Sequence, residues 1–410
     1  MRNWSRGFLF VVLVVFLSIG LVAPAAAQPA ADGSNSSGGP AAESSGRTVV
    51  ADCEDVKNEP PGEGVSYRIV RGDCSMSLSN GDILENVWFK ADGGQVDIDA
   101  SGTGWTIRNV AVTNHSASED PPFNLRVESS DGVGLMYNVW ASDLASNVLF
   151  VHPKHKGKIE ANRVTFTDVA EDGAYASRPG NPPSITDGNK KIEGNEGTVG
   201  FEQAYVKDVG FGPETGYGLR LGSDGSYIVN STLVNIGGPA VANTFASGKN
   251  PKQRSDTFDG VLFRNVDIIQ PDGAGSGVRL NNHQGRIKPD RRWTAVTTFE
   301  NVDIRADEPI DNNEAGGTDP VIRGEIGSNP DRSPPPGAPR TPVRAASGVG
   351  GGTGTIGGPS GGIFSPIIAA MQTGLLYLGG FAVATLLVGP ILLIILAVFI
   401  FVVWKFGGFD

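Results

Sequence analysis

Two short phrases in this chain, GYGLRLGS at 216–223 and GSGVRLNN at 275–282, repeat a glycine, an aliphatic residue, an arginine and a leucine in one order. Each arginine, Arg220 and Arg279, stands between two aliphatic neighbours, so on a strand it points away from the side those neighbours bury. A guanidinium is a planar fork of donors that matches a carboxylate or a sulfate. Three stretches of this acidic chain are locally basic: HPKHKGK at 152–158, SGKNPKQR at 247–254 and QGRIKPDRRW at 284–293. They add Lys249, Lys252, Arg254, Arg286, Lys288, Arg291 and Arg292 to the candidate ligand-binding residues, and Trp293 adds a flat face for stacking on a sugar. The chemistry is recognition of a polyanion: a uronic-acid or sulfated glycan, an acidic surface layer, or anionic lipid headgroups. The competing reading is that the arginines pair with Asp and Glu of neighbouring turns and that the loops are simply solvated.

What presents these residues is a repeat. The pattern apolar, x, Asn, Val, x, apolar occurs as ILENVWF (Asn86), TIRNVAV (Asn109), LMYNVWA (Asn138), LFRNVDI (Asn265) and TFENVDI (Asn301). Degenerate forms are IEANRVTF (Asn162), FEQAYVKDV (Gln203) and YIVNSTLVN (Asn230). Spacings of roughly 23 to 41 residues suit solenoid coils with loops of variable length. Apolar and polar residues alternate within each phrase, so each is a strand with one buried face, and the asparagine falls where the chain turns. Asparagines stacked at equivalent turns satisfy one another's amides. A second strand follows in each coil: FNLRV, NVLFV, GLRL, AVAN, GVRL and VIRG. The two arginine phrases therefore occupy one strand of successive coils, with Ala242 in the coil between them and Arg126 and Arg323 as candidates for the same face.

Over residues 81–327 this pattern resembles the right-handed parallel β-helix of pectin-lyase-like proteins. The expected fold class is all-β, a right-handed parallel β-helix solenoid with a C-terminal transmembrane helix. That resemblance implies no single chemistry, because the fold hosts lyases, hydrolases, adhesins and viral fibres. Its polysaccharide lyases use acidic clusters for calcium and an arginine or lysine as base. Arg279 with Asn281, Asn282, His283 and the following GRIKP is similar to the RIK element of polygalacturonases, but the paired aspartates and the GHG element of those enzymes are absent. Asp172 in AEDGAY and Asp224 in GSDGS read first as turn residues.

The ends imply export and anchoring. Residues 1–27 carry Arg2, Arg6, an apolar run and a small-residue site, the pattern of a secretory signal peptide. Residues 28–46 form a polar leader, 47–327 the ectodomain with its N-terminal cap, and 328–362 a Pro- and then Gly-rich linker read as a tether. An apolar interfacial segment at 363–380 precedes a membrane-spanning helix at 381–404, and 405–410 is a short cytoplasmic tail. A two-pass hairpin is the alternative for the apolar tract. Cys53 and Cys74, the chain's two cysteines, are expected to pair in an oxidising compartment. Four scattered histidines suggest no metal site, and no cofactor or nucleic-acid partner is expected. Asn35, Asn114 and Asn230 begin glycosylation sequons. A net charge of −11 with arginine outnumbering lysine resembles, in composition, surface proteins of halophilic archaea. The expected function is a cell-surface binding or adhesion ectodomain for an acidic glycan or surface polymer. The alternatives are a lyase or hydrolase of acidic polysaccharide, marked by acidic residues within ~5 Å of Arg220 or Arg279, and a viral envelope spike.

Overall fold

A computed structural model describes residues 47–348, except for 118–119, 178, 180–185, 188–189, 192–196, 214, 244–259, 281–295 and 313–320. The chain winds through two parallel sheets, and successive turns contribute to each in sequence order. The first sheet runs from Arg47–Val50 through Val65–Arg71, Ile83–Lys90, Thr106–His115, Val133–Leu144 and Lys158–Val169 to Tyr227–Ile236, Val261–Ile269 and Val296–Arg305. The second is built of short strands, among them Cys74–Leu78, Phe123–Leu125, Leu149–Val151, Ala174–Tyr175, Leu219–Leu221, Val241–Asn243, Val278–Leu280 and Ile310–Asn312. This alternation is the pattern of a parallel β-solenoid. A small antiparallel pair, Thr186–Asp187 with Lys190–Lys191, stands apart from both sheets.

The long strands of the first sheet bend in their middle at a residue with left-handed backbone. Asn86, Asn109, Asn138, Arg163, Gln203, Asn230, Asn265 and Asn301 all have φ between 50 and 56°. Asparagine tolerates this region better than other residues with side chains, because its short amide compensates the backbone locally. It also stacks. Asn109 Nδ2 donates to Asn86 Oδ1 at 2.8 Å and Asn138 Nδ2 to Asn109 Oδ1 at 2.8 Å. A second ladder joins Asn265 to Asn230 at 2.8 Å and Asn301 to Asn265 at 2.9 Å. Between the two ladders the expected Asn162 is not at the bend. Asn162 pairs in register with Tyr137, and the bend falls on Arg163, whose Nε donates to Gln203 Oε1 at 3.1 Å. Val164 still pairs with Val139, so the register is kept, but the ladder is interrupted: Asn138 Oδ1 is buried without a hydrogen-bond partner among the described residues, and the Arg163–Gln203 pair stands between the two ladders.

Inside, equal registers stack like on like. Val87, Val110, Val139 and Val164 form one column, and Phe201, Ile228, Phe263 and Phe299 another, all buried. The N-terminal end is closed by the 3-10 turn Cys53–Val56, held by a disulfide from Cys53 to Cys74. Closing a loop of this length stabilises a fold by roughly 3 kcal/mol. Buried Arg68 donates from its Nη atoms to the carbonyls of Asp55, Val56, Glu59 and Glu85, binding the turn to the first coils.

Two expectations are corrected. VIRG does not lie on the second sheet: Val321–Arg323 pairs with Val296–Arg305 in the first, and Ile310–Asn312 takes the second-sheet place. The first part of the expected tether is docked. One outward column of the first sheet, Asp303, Asp267, Thr232, Tyr205 and Thr165, is a track for it. Asp303 and Asp267 accept from the backbone N–H groups of Asn329 (2.9 Å) and Asp331 (3.1 Å), while Thr232 and Thr165 donate to the carbonyls of Ser333 (3.1 Å) and Pro339 (2.7 Å). The strap ends in a short helix, Pro342–Ala346, whose Ala345 and Ala346 sit on Ala111 between Trp88, Trp140 and Tyr67. A Pro-rich segment has few backbone donors of its own to satisfy, so a track of two acceptors followed by two donors suffices to order it. Among the described residues no helix is long and apolar enough to cross a membrane, and residues 363–404 lie outside them.

Asn138 joins its ladder to the strap, since Nδ2 also donates to Ala345 O at 3.1 Å. Replacing it by Ala loses these bonds and leaves a Cβ-bearing residue at φ 56°, for an expected loss of about 2–3 kcal/mol in chemical denaturation. Asn138→Gly should recover about 1 kcal/mol of that, because only the backbone strain is relieved.

Candidate functional site

The second sheet sets residues from distant parts of the chain at one register. Asn124, Phe150, Tyr175, Arg220, Ala242, Arg279 and Asp311 are successive cross-strand partners along a single outward column. Neighbouring strands lie ~4.8 Å apart, so Arg220 and Arg279, two strands apart, are separated at the backbone by roughly 10 Å. Leu219, Leu221, Val278 and Leu280 on either side of the arginines are wholly buried, which fixes the arginines on the outer face.

Neither arginine is an unpaired surface cation. Arg220 Nη1 lies 3.4 Å from Asp172 Oδ2, and both side chains are largely buried, 18% and 7% exposed. Asp172 is held in turn by the Tyr217 N–H on Oδ1 at 2.7 Å. Burial raises the Asp172 carboxyl above its ordinary range; Arg220 and the Tyr217 N–H offset this only in part. The Arg220 guanidinium stacks over two rings, 4.1 Å from the centroid of Tyr175 and 4.8 Å from that of Tyr217. Its Nε is buried with no hydrogen-bond partner among the described residues. Tyr175 meets Phe150 edge to face at 5.7 Å.

Arg279 closes the network from the other side. Its Nε donates to Asp311 Oδ2 at 2.5 Å and it hydrogen-bonds the Tyr217 side chain, so Tyr217 bridges the two arginines across small Ala242. The series Asp172, Arg220, Tyr217, Arg279, Asp311 is therefore continuous, with one carboxylate per guanidinium. Such pairing holds the guanidinium planes still. It leaves a half-buried strip of Phe150, Tyr175, Arg279 and Asp311 facing out. Chemically, the strip offers ring faces and oriented donors rather than bulk positive charge.

The other expected residues divide. Lys249, Lys252, Arg254, Arg286, Lys288, Arg291, Arg292 and Trp293 lie outside the described residues; the segments that carry them leave the strands of Ala242 and Arg279. In the basic stretch 152–158, Lys154 and Lys156 are exposed, while its other members are engaged. His155 is buried as a neutral corner piece, Nδ1 accepting from Val127 N–H (3.0 Å) and Nε2 meeting Thr198 O (3.0 Å), while Lys158 pairs with Glu160 at 2.6 Å. Burial lowers the His155 ring below its usual value, consistent with the neutral form. Arg126, two residues after Asn124 and between buried Leu125 and Val127, points outward on the same side of the second sheet but lies off the column's register and pairs with Glu128, whereas Arg323 lies on the first sheet. Among the described residues no cluster of ligands could hold a metal ion. Of the sequons, Asn114 is exposed, whereas Asn230 stands in the second asparagine ladder.

The sequence does not mark Asp172, Tyr175, Tyr217 or Asp311 as site residues. Tyr217 lay inside the phrase GYGLRLGS itself, and Ala174–Tyr175 is a strand of two residues, too short to show alternation. Asp172 carries the turn signal DG, and nothing local distinguishes it from a solvated turn.

Arg220→Ala leaves a buried carboxylate without its cation, so the fold should lose about 3–5 kcal/mol at neutral pH. Because the raised Asp172 carboxyl favours the fold while protonated, and loses that contribution as pH rises through its folded value, the cost should shrink at pH 4. Thermal unfolding of the variant and the parent at both pH values checks the sign. No protein-family model matches the chain, and no curated protein or solved structure matches it either, so the chemistry of the column carries the functional argument.

Proposed function

We propose that this protein is an exported, membrane-anchored ectodomain that binds an acidic glycan or surface polymer along the outer face of its second sheet. The solenoid is right-handed in this reading, since parallel crossover connections almost always are, and its likeness is to the pectin-lyase-like β-helices. The observation that carries the proposal is the column Phe150, Tyr175, Arg220, Ala242, Arg279. Its aromatic half suits the faces of sugar rings. Its guanidinium half suits carboxylate or sulfate groups, with donors already oriented by Asp172 and Asp311. An extended polymer lying across the strands meets one side chain every ~4.8 Å, the spacing order of a sugar chain rather than of a compact ligand.

A second reading, an enzyme acting on acidic polysaccharide, is favoured by one observation: Asp172 and Asp311 lie within bonding distance of Arg220 and Arg279. It is the weaker of the two, because each carboxylate is engaged by an arginine and Asp172 is closed off from a polymer.

The test uses the full chain in detergent with labelled polyuronate at about 1 M salt, where screening over ~3 Å leaves only direct contacts. The expected result is co-elution, weakened at least tenfold by Arg279→Ala and nearly as much by Arg279→Lys, which lacks the planar fork. Absence of binding, or binding indifferent to Arg279, sinks the proposal. Shortening of the polymer establishes the enzyme reading instead.

A further inference from the structure

On the opposite face of the solenoid, an open cleft of about 690 Å³ is floored by Trp88 and Trp140 and closed at one end by Pro342 of the strap. The volume falls in the range of sites for small ligands. The two tryptophans are two strands apart on one column, with Ala111 between them. Their indole N–H groups are already satisfied, Trp88 by Thr113 Oγ1 and Trp140 by Ser142 Oγ, each at 3.0 Å. What they still offer is ring surface. Lys90 Nζ sits over the Trp88 ring at 3.7 Å, so the more open of the two is Trp140.

The rim is a second row of left-handed residues at the ends of the first-sheet strands: Asp92, Asn114, Asp143 and Asp168, with φ from 53 to 61°. Three of the four are carboxylates, which accept from hydroxyls and repel anions. The fourth is Asn114 of the sequon Asn114-His115-Ser116. Its side chain is exposed and makes no hydrogen bond among the described residues, while its backbone carbonyl accepts from Gly93 N–H at 2.9 Å.

Asn230 is the opposite case. Its Oδ1 accepts from Asn265, its amide bonds the Glu202 carboxylate, and Thr232 of its sequon is 3% exposed and donates to Ser333 O. A glycan on Asn230 would break the ladder and collide with the strap.

We propose that Asn114 carries an N-linked glycan whose first, neutral sugars lie in the Trp88–Trp140 cleft, and that Asn230 stays bare. A sugar seated there covers the Trp140 ring, hydrogen-bonds the carboxylate rim and wedges against Pro342, holding the start of the strap helix against the sheet. The inference rests on export of the chain but not on the ligand of the arginine column, whose binding assay reads the other face.

The experiment is production of the full chain in an exporting, N-glycosylating host, followed by glycopeptide mass spectrometry and thermal unfolding. The expected result is a glycan on most copies of Asn114, none on Asn230, and a melting temperature several degrees above that of Asn114→Gln. In Trp140→Ala that increment should largely vanish although Asn114 remains occupied. Asp143→Gly, which keeps the left-handed backbone and touches no core residue, should reduce it in part. A bare Asn114, an Asn230 occupied equally well, or an increment unchanged in both the Trp140 and Asp143 variants overturns the proposal.

Discussion

The structure depends on one local constraint, the left-handed bend in the middle of each long strand of the first sheet. A residue at φ near 54° turns the chain without a loop, and an asparagine there also hands its amide to the coil above and below. Parallel strands have no hairpin to set their register. The ladders Asn86–Asn109–Asn138 and Asn230–Asn265–Asn301 supply it, because a slip of one residue would unpair every amide and turn every buried side chain outward.

Once register is set, residues tens of positions apart become neighbours at a strand spacing, and three kinds of column acquire distinct chemistry. The inward columns stack valine on valine and phenylalanine on phenylalanine, so the core is made of repeats of itself. An outward column of the first sheet offers two acceptors and then two donors to the strap. The outward column of the second sheet gathers aromatic and guanidinium groups around Tyr217. Charge is handled differently on the last two. Asp303 and Asp267 meet neutral N–H groups at the surface, whereas Asp172 is buried and needs Arg220, a costlier arrangement that holds an arginine in one orientation.

The strap changes how the chain leaves the solenoid. It runs back from Asp303 toward Asn138 and Ala111, against the direction in which coils are added, so residue 348 lies beside early coils rather than the last one. It also covers part of a sheet face, including Thr165 and one side of the Trp88 and Trp140 pair. An exposed face of that kind is a place for unwanted association.

The repeat, the all-β class, the outward placement of Arg220 and Arg279, and the pairing of Cys53 with Cys74 were legible in the sequence, because alternation, turn residues and cysteine number are local or additive signals. The bend at Arg163 instead of Asn162 was not, since the asparagine draws the eye to its own position while the register, with Val164 opposite Val139, puts Arg163 opposite the bend at Asn138. Nor was the strap: Pro-rich composition reads as a tether when its docking track is spread over Asp303, Asp267, Thr232 and Thr165 in four different coils. By itself the sequence determined which side of each strand is buried and which residues face out. Only the tertiary structure decided what those residues meet, because Asp172, Tyr217 and Asp311 reach the arginines through the stacking of coils, and no spacing along the chain encodes that distance.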